Sequence, residues 1–248
     1  MNRAATLDSP RPPLILLGVE PLRAAMEFLS HKLSCARAAN VGDGHPVVIF
    51  PGLGTDGSAV APMREYCRSL GYAAFDWGRG FNTGPQGELD AWLADLAAHV
   101  LRLLDGHEKP ATLIGWSLGG LYARELGKLL SPRLRQVITI GTPFNSVSDH
   151  THAGLLFRLL NGSAPRFDHA LSARLRTPPP VPTTSIYSRS DGVVAWQACR
   201  HTRRSKLTQD IEVSGSHIGM GWNRAVLSVV ADRLAQHPQR WRRYQPEN

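Results

Sequence analysis

Three residues of this chain have the side chains needed for covalent acyl chemistry, and each lies beside a glycine or a small residue. Ser117 is the centre of Gly115-Trp116-Ser117-Leu118-Gly119, which has the pattern G-x-S-x-G. Asp191 precedes Gly192, and His217 lies in Ser214-Gly215-Ser216-His217. A serine hydroxyl is a weak nucleophile that needs an adjacent base, and the base needs an acid to orient it. These residues therefore predict nucleophilic catalysis by Ser117, with His217 as the base and Asp191 as the acid.

The sequence on both sides of Ser117 favours this interpretation. An apolar, strand-like run at Ala111–Ile114 enters the motif and a helix-like run at Leu121–Leu126 leaves it. Ser117 would then lie on a tight turn between a strand and a helix, where side chains at positions 115 and 119 would collide across the bend. The alternative is a chance match in a loop, because the chain contains 23 glycines.

Strand-like and helix-like patterns alternate along the rest of the chain, which predicts a parallel sheet covered on both faces. Ligands of such sheets bind at the carboxyl ends of the strands, and Ser117, Asp191 and His217 each follow a predicted strand. The predicted strands are 47–50, 72–77, 111–116, 136–140, 183–187 and 211–213, and the predicted helices are 59–70, 89–104, 118–130 and 222–234.

A further helix is predicted near the N-terminus, beginning at Pro21, which suits a first helical position. Leu22, Ala25, Met26, Leu29 and Leu33 form one apolar stripe at helical spacing. We expect this stripe to pack on the domain; contact with a membrane surface is the alternative.

The motifs resemble those of the α/β-hydrolase family, and most of all those of bacterial lipases and esterases, over residues 46 to 236. They are Pro51-Gly52-Leu53-Gly54, Gly115-Trp116-Ser117-Leu118-Gly119-Gly120 and Ile140-Gly141-Thr142-Pro143-Phe144. The resemblance implies an α/β-hydrolase fold: a mostly parallel sheet of about six strands flanked by helices, with a short helical lid. The N-terminal helix stands where the family often has two antiparallel strands.

An oxyanion hole is expected from two backbone N–H groups. One belongs to Leu118, the first residue after the nucleophile, and the resemblance implies that Leu53 supplies the other. The chain departs from many lipases in having Pro51-Gly52 where they have His-Gly, an exchange that leaves a backbone donor in place.

The long interval from 145 to 181 is implied by the resemblance to be a lid over the site; a surface excursion without a gating role is the alternative. We expect an apolar acyl group to bind beside Trp116 and beneath Leu155, Leu156 and Phe157. The predicted division is a leader and helix at 1–45, the hydrolase domain at 46–240 and a tail at 241–248.

Composition restricts the remaining classes. A chain of 248 residues with 42% hydrophobic residues has the size of one large α/β domain. No apolar run reaches the ~20 residues of a membrane-spanning helix, and no secretory signal is evident, so we expect a cytoplasmic protein. The three cysteines and the histidines have no metal-site spacing, and we expect no metal or other cofactor.

The net charge of +8 reflects basic clusters at 200–206 and 240–243. No nucleic-acid fold signature accompanies them, so we expect solvated surfaces and no nucleic-acid partner. The expected partner is a small-molecule or lipid ester, with peripheral membrane contact as an option, and the sequence does not give the oligomeric state.

The function predicted is hydrolysis of carboxylic esters of the lipase or esterase type through an acyl-enzyme. A thioesterase or acyltransferase that accepts a carrier-bound acyl group is an alternative, because the cluster at 200–206 lies beside Asp191 and suits an acidic carrier. A non-catalytic, membrane-associated member of the fold is the third hypothesis.

Overall fold

The structure is a computed structural model and describes residues 12–33, 42–145, 169–203 and 205–245. Six strands and six helices follow one another along these ranges, and β5 and β6 are the one pair of successive strands. In chain order they are α1 (Leu14–Leu33), β1 (Pro46–Phe50), α2 (Ala61–Ser69), β2 (Ala73–Asp76), α3 (Leu89–Leu103), β3 (Ala111–Trp116), α4 (Leu118–Leu129), β4 (Leu134–Ile140), α5 (His169–Arg176), β5 (Thr183–Tyr187), β6 (Thr208–Glu212) and α6 (Arg224–Leu234). Single 3₁₀ turns occur at Ser131–Arg133, Trp196–Cys199 and Ile218–Gly221.

All six strands form one parallel sheet in the order β2-β1-β3-β4-β5-β6. The six strands predicted from sequence are thus present, each within a few residues of its expected bounds. Because the strands are parallel, the residues that follow β1, β3, β5 and β6 meet at one edge of the sheet. That edge contains the loop after β1, Ser117, Asp191 and His217.

The two faces of the sheet pack against different helices. Along β1, Val47 and Ile49 belong to the apolar cluster that includes α2 and α6. The alternate residues, Val48 and Phe50, belong to the cluster that includes α3 and α4. This alternation follows from the two-residue period of a strand, and it explains why the central strands are continuous apolar runs.

Helix α1 differs from the prediction in its start and in its orientation. It begins at Leu14, so Pro21 lies inside it and not at its first turn. Its buried residues are Glu20 and Ala24, whereas the apolar side chains of Leu22, Met26 and Leu29 are 65%, 63% and 59% exposed. The helix does pack on the domain, but with its polar face, and the apolar stripe faces outward.

Most of the interval expected to form a lid lies outside the described residues, including Leu155, Leu156 and Phe157. Within that interval the structure shows α5, which is tied to α4 by Arg174 and Lys128: Arg174 Nε donates to Glu125 Oε2 at 2.6 Å, and Lys128 Nζ donates to the Arg174 carbonyl at 2.7 Å. At the other end of the chain, the segment assigned to a tail lies on the sheet, since Tyr244 N–H donates to Gln209 Oε1 of β6 at 2.7 Å.

Candidate active site

Ser117 lies between the end of β3 and the start of α4, with φ 54° and ψ −121°. It is the one non-glycine residue with positive φ among the described residues. Such a conformation costs on the order of 1–3 kcal/mol and persists only where the surrounding structure enforces it. Here a hydrogen bond from Ser117 N–H to the Ile140 carbonyl, 2.8 Å long, holds the turn against β4.

The two flanking glycines are required by close backbone approach. A Cβ on Gly115 would lie 2.3 Å from the Gly119 carbonyl oxygen, and a Cβ on Gly119 would lie 2.4 Å from the Phe50 carbonyl oxygen. Both separations are too short for a side chain, so the collision expected across the bend is present. The turn therefore brings α4 against the end of β1.

The structure brings Ser117, His217 and Asp191 together in a hydrogen-bonded chain. His217 Nε2 lies 3.1 Å from Ser117 Oγ, and His217 Nδ1 lies 2.6 Å from Asp191 Oδ2. All three residues are buried, Ser117 the least at 8% exposed. This order of contacts lets the imidazole accept the serine proton at Nε2 while the carboxylate fixes the tautomer at Nδ1.

The second oxygen of Asp191 is held by its own loop, because Oδ1 accepts from Val193 N–H at 2.8 Å and from Val194 N–H at 2.7 Å. This leaves Oδ2 for the imidazole. Burial alone would lower the pKa of His217, but the carboxylate of Asp191, with a smaller contribution from Glu20, raises it above its ordinary value. The site thus favours the imidazolium that forms when Ser117 loses its proton.

The two residues expected to donate to an oxyanion are carried by α4 and by the loop after β1. Leu118 is the first residue of α4, so its N–H has no acceptor within the helix. The loop after β1 reaches the nucleophile, since a Cβ on Gly52 would lie 3.4 Å from Ser117 Cβ. Hydrogen bonds fix both neighbours of Leu53: Thr55 Oγ1 donates to the Gly52 carbonyl at 2.8 Å, and Gly54 N–H donates to the Asn82 carbonyl at 2.8 Å.

Asn82 holds this loop with its side chain as well. It is fully buried, and its Nδ2 donates to the Pro51 carbonyl at 2.9 Å while its Oδ1 accepts from Tyr122 OH at 3.1 Å. Arg79, three residues after the end of β2, forms an ion pair with Asp95 on α3. Both side chains fix the loop after β2.

The residues expected to contact substrate are only partly described. Trp116 is buried in the core, and its Nε1 donates to the His217 carbonyl at 3.1 Å, so the indole holds the backbone of the histidine in place. Its predicted contact with an acyl group stays a prediction. Leu155, Leu156 and Phe157 lie outside the described ranges.

Two other histidines pair with carboxylates at the same 2.6 Å separation. His45 pairs with Asp43, and its Nε2 lies 3.0 Å from Thr112 Oγ1, so this group has the same carboxylate–imidazole–hydroxyl order as the site. His201 pairs with Asp210. The group around His45 is at the opposite end of the sheet, where β1 and β3 begin, and Thr112 is fully buried. Hydrogen-bond geometry alone therefore does not single out a site, whereas the strained backbone of Ser117 does.

Sequence reasoning missed two carboxylates that support the site. Glu20 and Glu27 of α1 accept hydrogen bonds from backbone N–H groups of the loop that carries His217. Apart from the Asn223 side-chain amide, which donates to Glu27 Oε2 at 3.1 Å, these donors are backbone groups and leave no trace in residue type. The clearest available signal was the i, i+7 spacing of two acidic residues on one face of α1.

The sequence profile of the alpha/beta hydrolase family matches residues 47–246. The chain belongs to this family. Its match begins at β1 and leaves out α1, so the helix that carries Glu20 is outside the matched region.

Solved structures share the family fold at low sequence identity. The chain is similar to metagenome-derived lipolytic enzymes described as LipS and LipT, with a TM-score of 0.59 and 17% identity over 80% of this chain and 96% of that one. It is similar to lipase B of Aspergillus fumigatus, with a TM-score of 0.57 and 16% identity over 83% of this chain and 57% of that one. It is also similar to a thioesterase domain from the curacin biosynthetic pathway, with a TM-score of 0.51 and 15% identity over 80% of this chain and 93% of that one.

A curated relative is polyketide synthase ThaQ of Burkholderia thailandensis, which is 32% identical over 151 residues. The match covers 57% of this chain and 7% of the synthase, so the chain corresponds to a small part of that protein.

Within the described ranges no cluster of three or more His, Cys, Asp or Glu side chains is arranged to hold a metal ion. None of the helices in these ranges combines the length and apolar composition needed to cross a membrane.

Proposed function

We propose that this chain is a serine hydrolase that cleaves carboxylic esters through an acyl-enzyme on Ser117. The observation that carries the proposal is the position of His217, 3.1 Å from Ser117 Oγ and 2.6 Å from Asp191 Oδ2, at the carboxyl ends of parallel strands. Similarity in fold to lipolytic enzymes supports the ester as the substrate class.

The reaction has two halves. In the first, His217 Nε2 takes the Ser117 proton as Ser117 Oγ bonds to the substrate carbonyl carbon, and the proton then passes to the departing alkoxide as the carbon–oxygen bond breaks. In the second, His217 Nε2 takes a proton from water as the water oxygen bonds to the acyl carbon. The proton then passes to Ser117 Oγ as its bond to the acyl carbon breaks, which releases the acid and the free serine. The N–H groups of Leu118 and Leu53 donate to the oxyanion in both halves, each contributing about 3 kcal/mol to the transition state.

The test is hydrolysis of p-nitrophenyl esters with acyl chains from acetate to palmitate, with Ser117→Ala as the blank. Ser69, an exposed serine on α2, gives the matched control Ser69→Ala, which we expect to retain full activity. We expect turnover by the unchanged protein and by Ser69→Ala, and a loss of about 10³-fold or more in Ser117→Ala. No turnover at any chain length by folded protein would contradict the ester proposal.

A thioester substrate is the second candidate, because the curated relative is a polyketide synthase and one structural neighbour is a thioesterase domain. Arg200 and Arg203 are exposed close in sequence to the Asp191 loop, and they would suit an acidic carrier. Comparing kcat/KM for an acyl N-acetylcysteamine thioester and the ethyl ester of the same acid separates the two. A preference for the thioester above about tenfold would favour the second candidate.

A further inference from the structure

The acid and the base of the proposed site are carried by two separate loops. The acid loop, residues 188–194, follows β5 and carries Asp191; the base loop, residues 213–218, follows β6 and carries His217. The strands are paired, but the catalytic geometry requires the loops themselves to keep a fixed separation. A displacement of about 1 Å between them would cost on the order of 10²-fold in rate.

One carboxylate of α1 joins these loops. Glu20 Oε1 accepts from Gly192 N–H of the acid loop at 2.8 Å and from His217 N–H of the base loop at 3.0 Å, and Oε2 accepts from Ile218 N–H at 3.1 Å. Glu20 is 1% exposed. Three backbone N–H groups thus converge on a buried anion, which is a strong, charge-assisted arrangement.

Close packing keeps Glu20 in this place. A Cβ on Gly192 would lie 2.5 Å from the Leu16 carbonyl carbon, so α1 rests directly on the acid loop. Arg23 donates to the Ser190 carbonyl at 2.5 Å and to Ser190 Oγ at 2.8 Å. On the base loop, Glu27 Oε1 accepts from Ser216 N–H at 2.8 Å.

The charge of Glu20 acts on His217 as well as on the backbone. Two side chains contact the imidazole, Asp191 at Nδ1 and Ser117 at Nε2. Two more contact the His217 backbone: the Trp116 indole donates to its carbonyl, and Glu20 accepts from its N–H. Asp191 and Glu20 are the two negative charges of this set. A second carboxylate stabilises the imidazolium that forms when Ser117 gives up its proton.

We propose that Glu20 is a positioning residue of the hydrolase site, which clamps the acid loop to the base loop and supplies a second negative charge to His217. This inference rests on the proposed function and extends it to a helix that lies outside the matched family region.

The test compares Glu20→Gln with Glu27→Gln, which removes a carboxylate that anchors the same helix to the base loop but does not contact His217. Glu108→Gln, at an exposed residue just before the amino end of β3, serves as the unrelated control and is expected to keep full activity. For each protein we would measure kcat and KM on the best ester from pH 5 to 9, the rate of phosphonylation by a fluorophosphonate, and the pKa of His217 by NMR.

In Glu20→Gln we expect kcat and the phosphonylation rate to fall about tenfold or more, with KM changed less than about twofold, because the lost interaction acts on the base and not on substrate binding. The His217 pKa should fall and the acid limb of kcat/KM should move to lower pH, because a negative charge near the imidazole is gone. Glu27→Gln should leave the pKa of His217 unchanged.

Equal kcat and equal His217 pKa in Glu20→Gln and the unchanged protein would overturn the inference, as would an equal pKa shift in Glu27→Gln. If Glu20→Gln does not fold, Glu20→Asp replaces it: the shorter carboxylate keeps the charge but cannot reach all three N–H groups, so kcat should fall while the pKa of His217 holds. Failure of the unchanged protein to react with esters or the fluorophosphonate would count against the proposed function instead, whereas the NMR titration tests Glu20 in either case.

Discussion

At the scale of single residues, the site depends on how the environment of His217 sets its basicity. Burial opposes the protonated imidazole, and the carboxylate of Asp191 more than offsets it. Because Asp191 Oδ1 is occupied by two backbone N–H groups, its Oδ2 has a single orientation toward Nδ1. The hydrogen bond between Asp191 and His217 therefore fixes the tautomer of His217 and raises its pKa.

The raised pKa gives a prediction for the pH dependence of the unchanged protein and of Asp191→Asn. The base must be neutral to accept the Ser117 proton, so kcat/KM should fall as pH drops through the pKa of His217, above its ordinary value of 6.5. In Asp191→Asn the acid limb should move to lower pH and kcat should fall by about 10³–10⁴-fold. The measurement is kcat/KM from pH 5 to 9; an acid limb that Asp191→Asn leaves in place would assign the titration to another group.

At the scale of elements, the turn at Ser117 requires α4 to approach β1 so closely that a Cβ on Gly119 would lie 2.4 Å from the Phe50 carbonyl oxygen. Its position could be predicted from sequence because a strand pattern, two glycines and a helix pattern occur in succession. The six strands could be predicted for a related reason, because a strand buried on both faces has a short run of apolar residues in its sequence.

Helix α1 shows what this reasoning could not predict. Its apolar stripe has the spacing of a buried face, yet the buried residues are Glu20 and Ala24. Most of the donors to its carboxylates Glu20 and Glu27 are backbone N–H groups of distant loops, and backbone donors carry no signature in residue type. The positional preference of proline also misled, because Pro21 suits a first turn but is placed inside the helix here.

A pair of glycine substitutions tests these two elements. In Gly119→Ala the new methyl group would lie 2.4 Å from the Phe50 carbonyl oxygen and 2.6 Å from that of Pro51, so the loop after β1 must move. We expect a loss of about 1–3 kcal/mol in the free energy of unfolding and a large loss of esterase activity. Gly18→Ala is the control: no atom lies within 4 Å of the new Cβ, and alanine in a helix should stabilise by up to about 1 kcal/mol.

The measurements for this pair are urea unfolding and ester turnover. A Gly119→Ala protein as stable and active as the unchanged one would contradict the close approach of α4 to β1. A Gly18→Ala protein less stable than the unchanged one would contradict the position of Gly18 within α1.

At the scale of the whole molecule, a histidine paired with an aspartate lies at each end of the sheet, and the pKa of the two histidines is shifted in opposite directions. At the carboxyl ends, the Asp191 carboxylate raises the pKa of His217 despite burial. At the amino ends, His45 is fully buried between Asp43 and Thr112, with Arg135 beside it. Burial and the nearby Arg135 guanidinium together lower the pKa of His45 to about 4, although the hydrogen bond with Asp43 acts in the opposite direction.

This shift predicts how stability depends on pH. The unfolded chain binds a proton at His45 with an ordinary pKa of 6.5, whereas the folded chain does so only near pH 4. The stabilisation is therefore complete above pH 6.5 and is lost as pH falls toward 4. Between pH 7.5 and pH 5 the contribution of His45 to the free energy of unfolding should fall by about 2 kcal/mol.

The measurement is urea unfolding at pH 7.5 and pH 5 for the unchanged protein and for His45→Asn, which removes the titrating group and leaves the other groups common to both. We expect the unchanged protein to lose about 2 kcal/mol more than the variant over this interval. The effect of His217 has the opposite sign, because a raised pKa gives stability at low pH that is lost as pH rises, and it cancels in the comparison. Equal pH slopes in the two proteins would mean that His45 is protonated as easily in the folded chain as in the unfolded one, which its burial and the neighbouring guanidinium oppose.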